Sequence, residues 1–246
     1  MKRLIVLSVG ILLAGTAAAQ FPKLDDVLKR VESLPKPSAS SATAGTGDPR
    51  TDAAGIKEAL AVGTERAVQS LSRTDGYFGN QAVKILMPSG IQKVAELARM
   101  AGYQKQVDAF VLSMNRAAEA AAPQAARFFG DAIRDMTLDD VRGILAGGDT
   151  AATEFFRRKT HDKLYAAFKP VVSTKVDEVG ATRAYKDMIS RYEKVPLAGS
   201  QSLDLDHYVT EKALDGMFLM VGEEEKKIRT NPLARSTELL KSVFGK

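Results

Sequence analysis

Apolar residues recur every three or four positions through most of this chain, and this spacing constrains the fold more strongly than any other feature of the sequence. Runs in which apolar and polar residues alternate, the pattern of a half-buried strand, are nearly absent. The spacing predicts an all-α fold, a multi-helix bundle of about eight to ten helices. At most one short extended segment is expected, at residues 83–87 (VKILM), and it ends at Pro88.

Residues that favour helix starts and helix ends divide this pattern into segments. Asp52 is a candidate cap for the first long helix, and Gly102 stands where a left-handed helix stop is wanted. Thr137 and Asp140 have the spacing of a capping box, with Asp in place of Glu. Pro170 is expected to divide the chain after a long helix whose apolar residues repeat every four positions.

The first residues have the pattern of an export signal. Lys2 and Arg3 precede an apolar run of about ten residues, which is too short to span a bilayer. Small residues, Ala17 and Ala19, follow this run. We therefore expect residues 1–19 to be a signal peptide cleaved after Ala19; a retained amphipathic or membrane anchor is the alternative.

The mature chain is expected to have a short leading segment and one large domain. Residues 20–34 predict a short amphipathic helix, and residues 35–51, rich in Ser, Ala, Gly and Thr, predict a flexible linker. Residues 52–246 predict a single helical domain, in which residues 208–229 and 233–244 form the last two helices. The apolar residues of the leading segment are Leu24, Val27, Leu28, Val31 and Leu34.

The composition is that of an ordinary globular protein, with 45% apolar residues, 26% charged residues and no cysteine. Disulfides are excluded, so the core alone must stabilise the exported chain. Removal of Lys2 and Arg3 with the signal lowers the formal net charge from +5 to +3. Because basic and acidic residues are interspersed, a nucleic acid is not an expected partner.

Asp215 is the most unusual polar position, because residues 213–221 are apolar on nearly every side of the expected helix. A buried carboxylate there needs a cation or a hydrogen-bond donor, or it takes up a proton. Lys212 is one turn away, and Tyr208 shares the stripe of Asp215. A ligand-binding or catalytic carboxylate is one interpretation; a structural ion pair that sets the helix register is the other, and it is the favoured one.

Two further groups of polar residues lie beside apolar helix faces. Asn115 and Glu119 share a stripe flanked by Arg116, and Glu65 and Arg66 lie on the first long helix. Such groups line pockets or form ordinary exposed pairs, and the second interpretation is favoured. The candidates for a ligand-binding site or a buried polar network are therefore Glu65, Arg66, Asn115, Arg116, Glu119, Tyr208 and Asp215.

Metal-binding patterns are weak. Asp204 and Asp206 begin like a calcium loop, but Val209 occupies the position where the sharp turn requires glycine. One of these two acids is instead expected to cap the helix that follows. His161 and His207 are far apart in the sequence and in no metal-ligand spacing. We expect no metal and no cofactor, and no sequence motif identifies a catalytic residue.

Residues 223–229 (EEEKKIR) carry acids and bases at four-residue spacing. The expected pairs are Glu223 with Lys227 and Glu225 with Arg229. This pattern predicts a solvent-exposed helix face.

Six segments together resemble the bacterial family known as domain of unknown function 4197, and the resemblance covers nearly all of residues 55–245. It implies an exported, mostly helical protein of Gram-negative bacteria, located in the periplasm, with no established activity. It therefore carries over no catalytic residue. The segments are GIKEAL (55–60), GTERAV (63–68), MNRAAEAAAP (114–123), GGDTAAT with FFR (147–157), DLDHYVTEKALDG (204–216) and EEEKKIRTNP (223–232).

Three functions follow as hypotheses. The leading one is a non-catalytic domain that binds a hydrophobic or anionic small molecule, or an envelope protein. The second is a hydrolase that uses Asp215 with Glu119 or Glu65 as acid and base, which requires these carboxylates to meet in one cleft. The third is a structural protein, in which residues 24–34 dock on a membrane or a second subunit through the linker.

Overall fold

The computed structural model describes residues 48–178, 204–231, 233 and 241, all of which belong to one compact unit. The predictions for residues 1–19, 20–34 and 35–47 lie outside the described residues. So does the predicted helix at residues 233–244, apart from its two described positions.

The described residues are helical and contain no strand, which confirms the all-α prediction. They form seven α-helices, fewer than the eight to ten helices expected; two short 3-10 helices are also present. Residues 84–87 of the segment expected to be extended belong to neither helix nor strand. The 3-10 helices are Ser89–Ile91 and Ala122–Gln124; the α-helices are α1 (Pro49–Ser72), α2 (Gln92–Met100), α3 (Gln104–Ala121), α4 (Ala125–Arg134), α5 (Leu138–Ala146), α6 (Ala151–Glu178) and α7 (Leu205–Thr230).

Helix α1 begins three residues before the expected start. The Asp48 side chain, not that of Asp52, is the cap, and it accepts a hydrogen bond from the Arg50 backbone N–H at 3.3 Å. Pro49 occupies the first turn, where its missing N–H costs nothing. Residues 49–51, expected in the linker, are therefore helical.

Other helix ends are where the sequence predicts them. Gly102 has a φ of 89°, the left-handed conformation that favours glycine after a helix. Thr137 and Asp140 form the capping box of α5, because each side chain bonds the backbone N–H of the other residue. Asp204 caps α7 by accepting a bond from His207 N at 2.9 Å.

Helix α6 does not end at Pro170, as expected, but continues to Glu178. Pro170 lies on the exposed face, where water can reach the carbonyl group that lacks its usual donor. The opposite face repeats a buried residue every four positions, and this packing outweighs the local cost of the proline. The buried residues are Thr160, Leu164, Phe168, Val172 and Val176.

The core lies where α7 packs against α6, α1 and α3. Phe129 is fully buried between Phe156 and Phe218, with ring centroids 5.2 Å and 6.1 Å away. The alanines of α3, expected to allow close packing, are fully buried at positions 117, 118 and 121. This core positions α3 and α7 on either side of the chain that connects α1 to α2.

Candidate functional site

The chain between α1 and α2, residues 73–88, is called here the connecting segment. Buried Asn115 of α3 holds its middle. The Asn115 Oδ1 atom accepts a bond from Ile85 N at 2.8 Å, and its Nδ2 atom donates to Ile85 O and to Val111 O, each at 2.8 Å. Because both backbone groups of Ile85 pair with one side chain, the segment is fixed without a neighbouring strand.

Glu119, one turn along α3, holds the start of the connecting segment. Its Oε1 atom accepts bonds from Tyr77 N at 3.1 Å and Phe78 N at 3.2 Å. Arg116 bridges two acids, with Nη1 2.6 Å from Glu119 and Nη2 2.7 Å from Asp75. The bond to Glu119 is the largest cause that raises the pKa of the Arg116 guanidinium, and the bond to Asp75 also raises it. The Glu119 side chain is only 5% exposed, and it accepts three of these bonds, from Tyr77 N, Phe78 N and Arg116 Nη1.

Helix α7 holds the connecting segment from the other side. Tyr208 donates to Leu86 O at 3.0 Å, and Tyr77 donates to Ala213 O at 2.7 Å. Burial, and after it the Glu119 carboxylate, raises the pKa of the Tyr77 phenol, so Tyr77 remains a donor. A Cβ atom at Gly216 would lie 2.8 Å from the Tyr77 ring, so the segment packs directly on the α7 backbone.

An open cleft of about 670 Å³ lies between the connecting segment, α2 and α3. Leu86 stands at this cleft with 61% of its surface exposed, although the bonds to Asn115 and Tyr208 fix the backbone around it. Lys84 places its ammonium group 4.0 Å from the centre of the Phe78 ring. The remaining lining residues are Met87, Gln92, Ala95, Glu96, Arg99, Asp108 and Val111.

Four of the seven candidate residues, Asn115, Arg116, Glu119 and Tyr208, thus meet around the connecting segment. Tyr77 belongs to the same network, but no sequence pattern indicated it. Its role depends on contacts with residues 42 and 136 positions away.

Asp215 is not buried, contrary to the interpretation of its apolar surroundings. Its side chain is 52% exposed and lies 3.5 Å from Arg157 and 3.4 Å from Lys212. It belongs to an exposed stripe of α7 together with Lys212 and Leu219. The 43% exposed Leu219 made this side of the helix look apolar in the sequence. The ion pair expected as the structural role is present, at the surface.

Glu65 and Arg66 lie apart from the network around the connecting segment. Glu65 accepts a bond from Gln69 at 2.9 Å, four residues along the same helix. The Arg66 guanidinium lies 3.9 Å from Glu224 of α7. The first of these pairs lies within α1, and the second joins α1 to α7.

A second buried polar cluster was missed, because residues 223–229 were expected to face solvent. Glu225 is 6% exposed and accepts bonds from Ala152 N and Thr153 N, both at 2.9 Å. It pairs with Arg229 as expected, at 2.8 Å, and Arg229 also donates to Ile144 O at 2.9 Å. The cluster thereby joins the start of α6 to the end of α5. The adjacent void, about 20 Å³, has room for one water molecule.

Other pairings in this region also differ from expectation. Lys227 pairs with the buried Glu224 at 2.7 Å instead of with Glu223. Of the three acids in residues 223–229, Glu223 is exposed while Glu224 and Glu225 are buried, because α7 packs against both α1 and α6. Helical spacing identified the Glu225–Arg229 pair but not which side of the helix is covered.

The two histidines lie on the α6–α7 surface with separate partners. His161 Nε2 is 3.4 Å from Glu211, and His207 Nδ1 is 2.8 Å from the Tyr165 hydroxyl. Within residues 48–178 and 204–231, no three metal-ligating side chains lie close enough together to hold an ion. None of the helices described has the length and apolar character needed to cross a membrane.

A family model for proteins of unknown function, DUF4197, matches residues 48–245. The chain belongs to the DUF4197 family. The DUF4197 match begins at Asp48, the cap of α1, and it contains the whole network around the connecting segment. Neither a curated protein nor a solved structure matches the chain.

Proposed function

We propose that this protein is exported to the periplasm and works as a non-catalytic binding domain, with the cleft beside the connecting segment as its site. The proposal rests on one observation: the connecting segment forms one side of the cleft, and its backbone is held in place. Buried Asn115 and Glu119, together with half-buried Tyr208, fix its backbone by hydrogen bonds, and Leu86 is held exposed at the cleft. A preorganised wall lowers the entropy cost of binding.

The alternative of a carboxylate-dependent hydrolase has less support. The Glu119 carboxylate accepts hydrogen bonds from two backbone amides and pairs with Arg116. Asp215 pairs with Arg157 of α6 at the surface. Glu65 pairs within α1. The three carboxylates face different elements, and none is placed to share a proton transfer with another.

Native mass spectrometry of the mature protein, purified gently from periplasm, tests the binding proposal. We expect a bound small molecule or a retained envelope protein. The variant Leu86→Asp should lose it, whereas Leu219→Asp, also an exposed leucine but outside the cleft, should keep it. If both variants retain the bound molecule equally, it binds outside the cleft. If the unmodified protein has the mass of the polypeptide alone, the proposal is contradicted.

Export is supported by the basic start, the short apolar run and the small residues before Gln20. Mass analysis of the periplasmic fraction should find a protein that begins at Gln20. A full-length protein in the cytoplasm would contradict this.

The structural hypothesis concerns residues 20–34. Removal of residues 20–47 keeps the Asp48 cap of α1 and so tests this segment alone. Loss of membrane or subunit association in this deletion, with the cleft variants unaffected, would favour the structural role over the binding role.

A further inference from the structure

The apolar part of the cleft is continuous with its charged part. Met87 and Ala95 are buried and Val111 is half-buried, and together they line the cleft beneath the exposed Leu86. The volume, about 670 Å³, lies in the range of roughly 300–1,000 Å³ typical of small-molecule sites. An elongated apolar group would cover these side chains and the leucine at the rim.

Four charged side chains line the cleft, two of them basic and two acidic: Lys84, Arg99, Glu96 and Asp108. Arg99 and Asp108 form a pair at 3.5 Å, and Asp108 also accepts a bond from Gln104 at 2.7 Å. Lys84 is different: within the described residues no carboxylate lies within ion-pair distance of its ammonium group, which rests on the Phe78 ring instead. Lys84 is half-buried, so a bound anion would be partly shielded from water.

We propose that the cleft binds a single-chain amphiphile with an anionic head, of the class of long-chain carboxylates. The carboxylate pairs with Lys84, and the chain lies along Met87, Ala95 and Val111 beneath Leu86. This inference rests on the proposed function, whose site it shares, and adds the ligand class. Glu96 also lines the cleft, and its negative charge limits the affinity for an anion.

Calorimetric titration of the mature protein with monomeric dodecanoate tests the ligand class. One molecule should bind per chain, and dodecylammonium should bind more weakly. Lys84→Gln should weaken dodecanoate binding about five- to tenfold, because it removes a charge-assisted pair. Lys84→Arg should keep most of the affinity, and the exposed Lys105→Gln outside the cleft should change nothing. Glu96→Gln should tighten binding about twofold, because it removes a like charge.

Several results would overturn the inference. Equal binding of dodecanoate by the unmodified protein and by Lys84→Gln, with both folded by circular dichroism, would exclude the head-group assignment. Binding to vesicles of anionic phospholipid with no binding of monomeric dodecanoate would replace the cleft ligand by a membrane surface. If the native mass spectrum shows a different molecule bound to the unmodified protein, and Leu86→Asp does not bind it, then only the proposed ligand class is wrong. If neither that mass nor dodecanoate is bound, the proposed function fails too.

Discussion

Two buried carboxylates, Glu119 and Glu225, accept hydrogen bonds from two consecutive backbone amides each. Each also pairs with an arginine on its own helix, Arg116 at position i−3 and Arg229 at i+4. Burying a charge is costly unless pairing and hydrogen bonds compensate, and here both are present. These residues therefore join separate parts of the chain rather than remain free for chemistry.

Replacing Glu225 should strongly destabilise the protein. Glu225→Ala removes the acceptor for two amides of α6 and leaves Arg229 without its carboxylate, so the free energy of unfolding should fall by about 2–4 kcal/mol. Urea denaturation measures this. The neighbouring exposed Glu223→Ala should change stability by less than about 0.5 kcal/mol. Equal effects of the two substitutions would show that Glu225 has no special role.

Asn115 should control the order of the connecting segment. Asn115→Leu keeps the number and branching of the side-chain heavy atoms but leaves both backbone groups of Ile85 unpaired, at a cost of about 2–3 kcal/mol. Hydrogen exchange should accelerate most at the Ile85 amide, while amides in the middle of α6 remain protected. Gln106→Leu, at an exposed position of α3, is the matched control. Unchanged exchange at Ile85 would be evidence against the proposed rigid wall.

At the scale of elements, long-range packing outweighs local signals in α6 and agrees with them in α5. Pro170 breaks the hydrogen-bond pattern of α6, yet the buried four-residue repeat carries the helix through it. In α5 the capping box and the buried Val141 and Ile144 favour the same helix. A local signal thus predicts an element reliably where no stronger tertiary contact opposes it.

Pro170→Ala should stabilise the protein. The new N–H restores a helical hydrogen bond, and the gain exceeds the extra entropy of the unfolded chain, for a net increase of about 1–2 kcal/mol in unfolding free energy. Thermal unfolding measures the change. Pro123→Ala, at the start of a 3-10 helix where no N–H is needed, should have little effect. A lower melting temperature for Pro170→Ala would mean that the proline is needed.

The capping box of α5 should contribute a pH-dependent term to stability. Hydrogen bonds from the Thr137 backbone, and next from its hydroxyl, lower the pKa of Asp140 in the folded protein. The contribution is therefore complete above the pKa of the unfolded chain and is lost as the pH falls through the lower folded value. Asp140→Asn should cost about 0.5–1 kcal/mol at pH 7 and nothing in strong acid.

Urea denaturation of Asp140→Asn and the unmodified protein, over a range of pH, measures this difference. Asp139→Asn, at a 90% exposed side chain, should show a smaller pH dependence. A constant difference between Asp140→Asn and the unmodified protein at every pH would contradict the ionic origin.

For the whole molecule, the family match begins at Asp48, the residue that caps α1. The described helices bury their apolar residues against one another, in a core made by α1, α3, α6 and α7. We therefore expect a chain that starts at the α1 cap to fold on its own.

A chain of residues 48–246 should therefore fold as stably as the mature protein. Circular dichroism should give melting temperatures within about 2 °C of each other, no more than the shift of roughly 2–4 °C that a loss of 1 kcal/mol causes in a domain of about 200 residues. A chain that starts at residue 52 lacks the cap and should melt lower. A large loss of stability already in the 48–246 chain would show that residues 20–47 contribute to the fold.

The helical class and several helix ends were predictable from the sequence, because they depend on residues within a few positions of one another, and six separate segments indicated the family. The left-handed Gly102, the capping box of α5 and the Glu225–Arg229 pair are local features of this kind. The same spacing also brought four candidate residues, Asn115, Arg116, Glu119 and Tyr208, into consideration, although their partners could not be inferred.

Which face of each helix is covered by other helices became clear only from the tertiary structure. Asp215 is exposed and Glu225 is buried on the same helix, since α7 is covered by α1, α3 and α6 on particular sides. The roles of Asn115 and Glu119 depend on the connecting segment, 30 to 42 residues away in the chain. Burial and long-range hydrogen bonds depend on how the helices pack. Helical periodicity in the sequence does not show which neighbouring helix covers each face.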